Sequence, residues 1–163
     1  NKMFGLYFDG KSNDMIFASK EEANKNFYDT GKNESDIKAV TEYLDTGKKF
    51  VDMHAVSEKG SVSVMIKKEE NIKDTDTYAD RAVVGIKQGM ERMGMEVETQ
   101  KGSGEFIGET MPYVTVRATD NGNTAYQKIV FLKVGNYVAE ITSYADSEEK
   151  ASECIDMFTK LEE

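Results

Sequence analysis

One cysteine, one histidine and one proline among 163 residues exclude several kinds of chemistry at the outset. Cys154 has no partner for an internal disulfide, so cysteine usage says little about the redox compartment. One His and one Cys cannot build a Cys/His zinc site. No apolar run approaches the roughly 20 residues that a membrane-spanning helix needs, and no signal-peptide core is visible. There is no excess of basic residues either. Thirty acidic residues against 21 basic ones give a net charge of −9, and the lysines are scattered. Nucleic acid and anionic membrane surfaces are therefore poor partners. With no repeat, no low-complexity tract and no Pro-rich linker, residues 1–163 read as a single domain. A chain of this length buries roughly 68–70% of its unfolded surface, so it needs neither disulfide nor metal to fold.

The informative stretch is Met111–Leu161. Tyr113–Thr119 meets the turn Asp120-Asn121-Gly122-Asn123, then Thr124–Val134, the turn Gly135-Asn136, and Tyr137–Ser143. Asn-Gly and Gly-Asn between β-rich runs mark hairpins, because these turns need residues that tolerate positive φ. Ile129-Val130-Phe131-Leu132 is apolar at consecutive positions, which implies cover on both faces of that strand. A closing helix follows, with Asp146 and Glu149 expected as its cap and a stripe of Ala151, Cys154, Ile155, Phe158 and Leu161.

Upstream, Phe4–Phe8 reads as a strand. Ser19-Lys20-Glu21-Glu22 fits a capping box that opens a helix running to about Tyr28. A short helix over Asp36–Leu44 presents Ile37, Val40, Tyr43 and Leu44 on one side. Phe50–Val56 and Ser61–Lys67 form another hairpin; Val62, Val64 and Ile66 alternate with Ser61, Ser63 and Met65 in the half-buried pattern. Thr77–Met93 is the longest helix. Gly85 and Gly89 lie one turn apart within it, and close approach to the sheet is their expected reason. Glu96–Lys101 is a strand, followed by a loose Gly102-Ser103-Gly104 bend.

Candidate chemistry is sparse. Any His-dependent acid–base or nucleophilic mechanism passes through His54, with Asp52 two residues earlier on the expected same face to orient it. No Gly-x-Ser-x-Gly elbow accompanies it, and Cys154 falls in an apolar stripe, so a structural histidine is the favoured reading. Asp74, Asp76 and Asp80 resemble the opening of a calcium loop. That loop would need Gly where Ala79 stands and Glu where Gly85 stands, which leaves the aspartates favouring a helix N-terminus. Gly102-x-Gly104 with Gly108 has neither dinucleotide spacing nor a following helix. Asn33-Glu34-Ser35 is a formal glycosylation sequon. Tyr113 beside Thr115 and Arg117 could line a ligand surface, although strand tyrosines are common without one. No residue is assigned as catalytic, cofactor-binding or metal-ligating.

The order of elements resembles a known family. The residues concerned are Phe4-Gly5-Leu6-Tyr7-Phe8, Phe17-Ala18-Ser19-Lys20-Glu21-Glu22, Phe50-Val51-Asp52-Met53-His54-Ala55 and the helix beginning near Tyr78. At the C-terminal end they are Tyr126-Gln127-Lys128, Lys133-Val134-Gly135-Asn136-Tyr137 and Phe158-Thr159-Lys160-Leu161. Together they look like a PsbP/Mog-type domain, as in secreted lipoproteins of Gram-positive bacteria. The chain departs from the usual pattern after the first strand, where Asp14-Met15-Ile16-Phe17 replaces a Pro-Glu-Gly-Trp-like stretch. The resemblance implies an α+β fold, a three-layer α/β/α sandwich around a roughly six-stranded antiparallel sheet. It also implies a non-catalytic accessory role outside the cytoplasm with an unknown protein partner, and a lipidated cysteine upstream of Asn1. The opening Asn1-Lys2-Met3 suits a trimmed or processed form. Two rivals are a small-molecule or peptide binder with a pocket between sheet and helix, and a His54-dependent hydrolase.

Overall fold

The structure is a computed structural model, and it describes residues 1–162. In chain order the elements are β1 (Leu6–Phe8), β2 (Ile16–Phe17), α1 (Lys20–Ala23), α2 (Lys25–Tyr28), α3 (Ile37–Asp45), β3 (Phe50–Ser57) and β4 (Gly60–Lys68). There follow α4 (Thr75–Arg92), β5 (Glu96–Phe106), β6 (Glu109–Asp120), β7 (Asn123–Val134), β8 (Tyr137–Ala145), α5 (Glu148–Ile155) and β9 (Phe158–Lys160). Seven strands form one open antiparallel sheet in the order β2-β3-β4-β8-β7-β6-β5, while β1 and β9 make a separate two-stranded ribbon. The fold is α+β as expected, with one strand more in the main sheet.

Local chemistry accounts for most of these elements. At the β6–β7 turn Asn121 and Gly122 both take positive φ, 50° and 79°, the conformation in which a two-residue hairpin matches the twist of its strands. Asp36, Asp74 and Ser147 cap α3, α4 and α5 by accepting from the backbone N–H three residues on. The residue that caps α5 is thus Ser147 rather than Asp146 or Glu149. Ser19 likewise accepts from Glu22 N. The expected single helix after Ser19 is two short ones, because Asn24 leaves helical geometry and turns its side chain onto β3. Its Oδ1 accepts from Val51 N at 2.7 Å, and its Nδ2 donates to Val51 O at 2.6 Å. Asn24 therefore pairs the outer edge of β3 as a neighbouring strand would.

Cross-strand partners share a face, so the register sorts the side chains into two cores. On one face, Val114, Val116, Ile129, Phe131 and Val138 pack with Tyr78 and Ala79 of α4. On the other, Val62, Val64, Ile66, Val130, Leu132 and Ile141 pack with Cys154 and Ile155 of α5 and Leu44 of α3. The helices are offset. α4 touches β5, β6 and β7, whereas α5 touches β4, β7 and β8. Strand β7 is packed from both sides, and Ile129, Val130, Phe131 and Leu132 are all buried.

Two expectations about backbone are corrected. The closing helix ends at Ile155, and Phe158–Lys160 runs instead as a strand paired with Leu6–Phe8. Phe158 is buried all the same, its ring 4.7 Å from that of Phe8 and 6.1 Å from that of Phe106. Strand pairing and a further helical turn would both aim residue 158 inward; pairing also satisfies the backbone of β1. Leu161 is only half-buried. Gly102-Ser103-Gly104 is no bend but the middle of β5, in register with Met111–Tyr113.

Candidate functional site: an uncovered half of the sheet

Because α4 lies mainly over β5 to β7 and reaches β8 only at its Val138–Glu140 end, the rest of this face, on β2, β3, β4 and the far end of β8, has no helix packed on it. One cross-strand row runs Ile16–Val56–Ser61–Tyr144. Ile16 is 71% exposed, Val56 41% and Tyr144 47%, with the small Ser61 between the last two. Strands stand about 4.8 Å apart, so the row spans roughly 14 Å. The next row is His54–Ser63–Thr142, and beyond it lie Met65 and Glu140. Lys67 and Glu140 are the only Lys, Arg, Asp or Glu residues on this face of the four strands, and they pair with one another at 2.9 Å. In a chain of which 31% is charged, the rest of the surface is neutral and partly apolar.

The sequence's candidate residues fall as follows. His54 faces this uncovered surface opposite Ser63, and its side chain makes no hydrogen bond among the described residues. Asp52 does not share its face. A bulge between Val51 and Met53 turns Asp52 to the other side, where it lines a cleft of about 230 Å³ with Lys20, Glu34 and Phe50. Lys20 lies 4.0 Å from both Asp52 and Glu34. Residue parity in the sequence places His54 and Asp52 together, and one inserted residue separates them. Cys154 is buried, and burial raises its pKa, which is the environment of an unreactive thiol.

Asp74, Asp76 and Asp80 all have structural partners. Asp74 Oδ1 accepts from Thr77 N at 2.7 Å, while Asp76 and Asp80 hold Lys101 at 2.7 and 2.8 Å. They start α4 and tie it to β5. Gly85 and Gly89 do not approach the sheet closely: a Cβ on either would meet nothing within 4 Å. Tyr113 packs against the core beneath α5, with the Lys128 ammonium 4.6 Å from its ring centre. Thr115 and Arg117 line a shallow site with Tyr126 and Glu98. In the sequon, Asn33 Oδ1 accepts from Ser35 N, closing a local turn.

A cluster that no sequence pattern announced sits at the border of α4 and the open sheet. The Tyr78 hydroxyl donates to Glu140 Oε1 at 2.6 Å, Lys67 reaches the same carboxylate, and the Lys67 ammonium lies 5.1 Å from the Tyr78 ring centre. Burial, then the hydrogen bond to Glu140, drives the Tyr78 phenol well above its ordinary pKa. These residues come from three elements, with 62 positions between Tyr78 and Glu140; only the register brings them together.

No protein-family model matches the chain, and no curated protein matches it. No helix of the described residues is long and apolar enough to cross a membrane.

Proposed function

We propose that this chain is a non-catalytic interaction or accessory module that docks a protein partner on the uncovered half of its sheet. The observation that carries the reading is the cross-strand row Ile16–Val56–Ser61–Tyr144, whose three large side chains are exposed, on a face whose two charges pair with one another. Charge depletion around exposed apolar and aromatic residues is the composition of an interface centre, and contiguous exposed apolar surface marks interaction sites. A flat strand surface suits a macromolecule better than a small molecule, which takes concave sites. The PsbP/Mog-like identity, the three-layer α/β/α description and an extracytoplasmic, lipid-anchored location belong to the same proposal. Helices on both sheet faces and the order of elements support the first two, and the sequence resemblance supports the third.

Site-specific photo-crosslinking in the native host tests the reading. A photoreactive phenylalanine at Val56 or Tyr144 should capture one discrete protein, and Ile16→Asp should abolish that product. The same probe at Glu153, exposed on α5, should not capture it. Equal products at all three positions would refute the docking surface. Protease accessibility on intact cells tests the location.

A further inference from the structure

Between α4 and the open sheet lies a cleft of about 330 Å³, and it differs in character from the flat docking row. Ile86, Ile129 and Phe131 supply apolar walls, while Lys67, Glu140 and Arg81 bring charge to it. Gly85 also lines it, and a side chain there would project into open space. The absence of a side chain at residue 85 thus keeps that flank of α4 open. The cleft is open to solvent, with an apolar floor and charged groups at its rim, and small-ligand sites combine apolar walls with a few polar groups in this way.

The charges indicate which ligand. Lys67, Glu140 and Tyr78 satisfy one another, at 2.9 and 2.6 Å. Two charges remain. Arg81 makes no ion pair or side-chain hydrogen bond among the described residues, and Glu69 has only a distant contact with Lys67, at 3.8 Å. An anionic ligand would satisfy Arg81 and meet repulsion from Glu69; a cationic ligand would do the reverse. A zwitterion answers both. We propose that the cleft binds a small aliphatic α-amino acid, its carboxylate on Arg81, its ammonium toward Glu69, and its side chain against Ile86 and Ile129. Guanidinium–carboxylate pairing is among the stronger charge-assisted contacts, and the apolar walls select the aliphatic part. This inference stands independently of the docking surface.

The test is titration of the intact protein with L-leucine, followed by calorimetry and thermal melting. Leucine should bind and raise the melting temperature, since a ligand specific for the folded state stabilises it. Isovalerate, which lacks the ammonium, and isoamylamine, which lacks the carboxylate, should each bind at least tenfold more weakly. Arg81→Gln should weaken leucine at least tenfold, and Gly85→Leu, which fills the mouth and favours the helix, should abolish binding. Gly89→Ala, one turn away, should leave it unchanged. Absence of binding to native protein, or undiminished binding by Gly85→Leu, overturns the proposal. Equal affinity for isovalerate overturns its zwitterionic part.

Discussion

The ring of Tyr113 on β6 lies where a side chain on Gly102 of β5 would have to be: a Cβ there would sit 2.6 Å from both Cε2 and the phenolic oxygen. The two residues are direct cross-strand partners. The ring also approaches Gly104, at 3.2 Å from the corresponding Cβ position. Glycine usually weakens a strand; here it makes room for an aromatic that would otherwise stand out from the sheet.

Gly102→Ala should therefore destabilise the protein by about 1–3 kcal/mol, the ordinary cost of overpacking. Gly104→Ala should cost less. In a Tyr113→Ala background the Gly102→Ala change should become neutral or favourable. Chemical denaturation of the four variants measures the coupling, and additive effects would show that the ring is not the obstacle.

Asn24→Ala should cost about 2–3 kcal/mol, because it strips both the acceptor of Val51 N–H and the donor to Val51 C=O at a site where Asn24 is 3% exposed. Leaving a buried backbone group unpaired carries most of that penalty. Amide exchange at Val51 is the direct readout. It should accelerate well beyond the change in global stability, and unchanged protection would contradict the edge-pairing role of Asn24.

Three identifiable carboxylates should each contribute a small part of the protein's acid sensitivity. Tyr137 donates to Asp45 at 2.6 Å with Lys68 nearby, Thr77 N donates to Asp74, and Tyr28 donates to Glu34. Each partner holds its carboxyl below the ordinary value, 3.8 for the aspartates and 4.5 for Glu34. A depressed folded pKa contributes stability above the unfolded pKa and loses it as pH falls through the folded one. Melting temperature should thus be level from pH 7 to about 5 and decline below about 4.5. Asp74→Asn keeps a capping oxygen without the titration, and together with Asp45→Asn it should make the acid limb shallower. An unchanged limb in the double variant would place the acid sensitivity elsewhere.

Much of the fold was legible because its determinants are local. The turn Asn121-Gly122, the alternation of Val62, Val64 and Ile66, and the unbroken Ile129–Leu132 run each express a short-range rule, and each is found where those rules put it. Three of the places that resisted did so for different reasons. The α1–α2 break depends on Asn24 meeting Val51, 27 positions away. The bulge at Asp52 adds one residue and reverses every parity argument upstream of it, which separates Asp52 from His54. Phe158 keeps its buried place in the stripe, but β1 was available to pair with, so the last helical turn is a strand.

The sequence by itself determined most of the element types, the two-sided burial of β7 and the cap at Ser19, since these follow from spacing and turn chemistry within a few residues. It also fixed the scarcity of histidine and cysteine. Only the tertiary structure decided that the helices are offset across the sheet. That offset leaves Ile16, Val56 and Tyr144 in one uncovered row, gathers Lys67, Tyr78 and Glu140 from three elements, and opens the cleft beside Gly85. The reason is physical: which half of a sheet a helix covers depends on register and connection geometry summed over the whole chain, and no local pattern of residues encodes that sum.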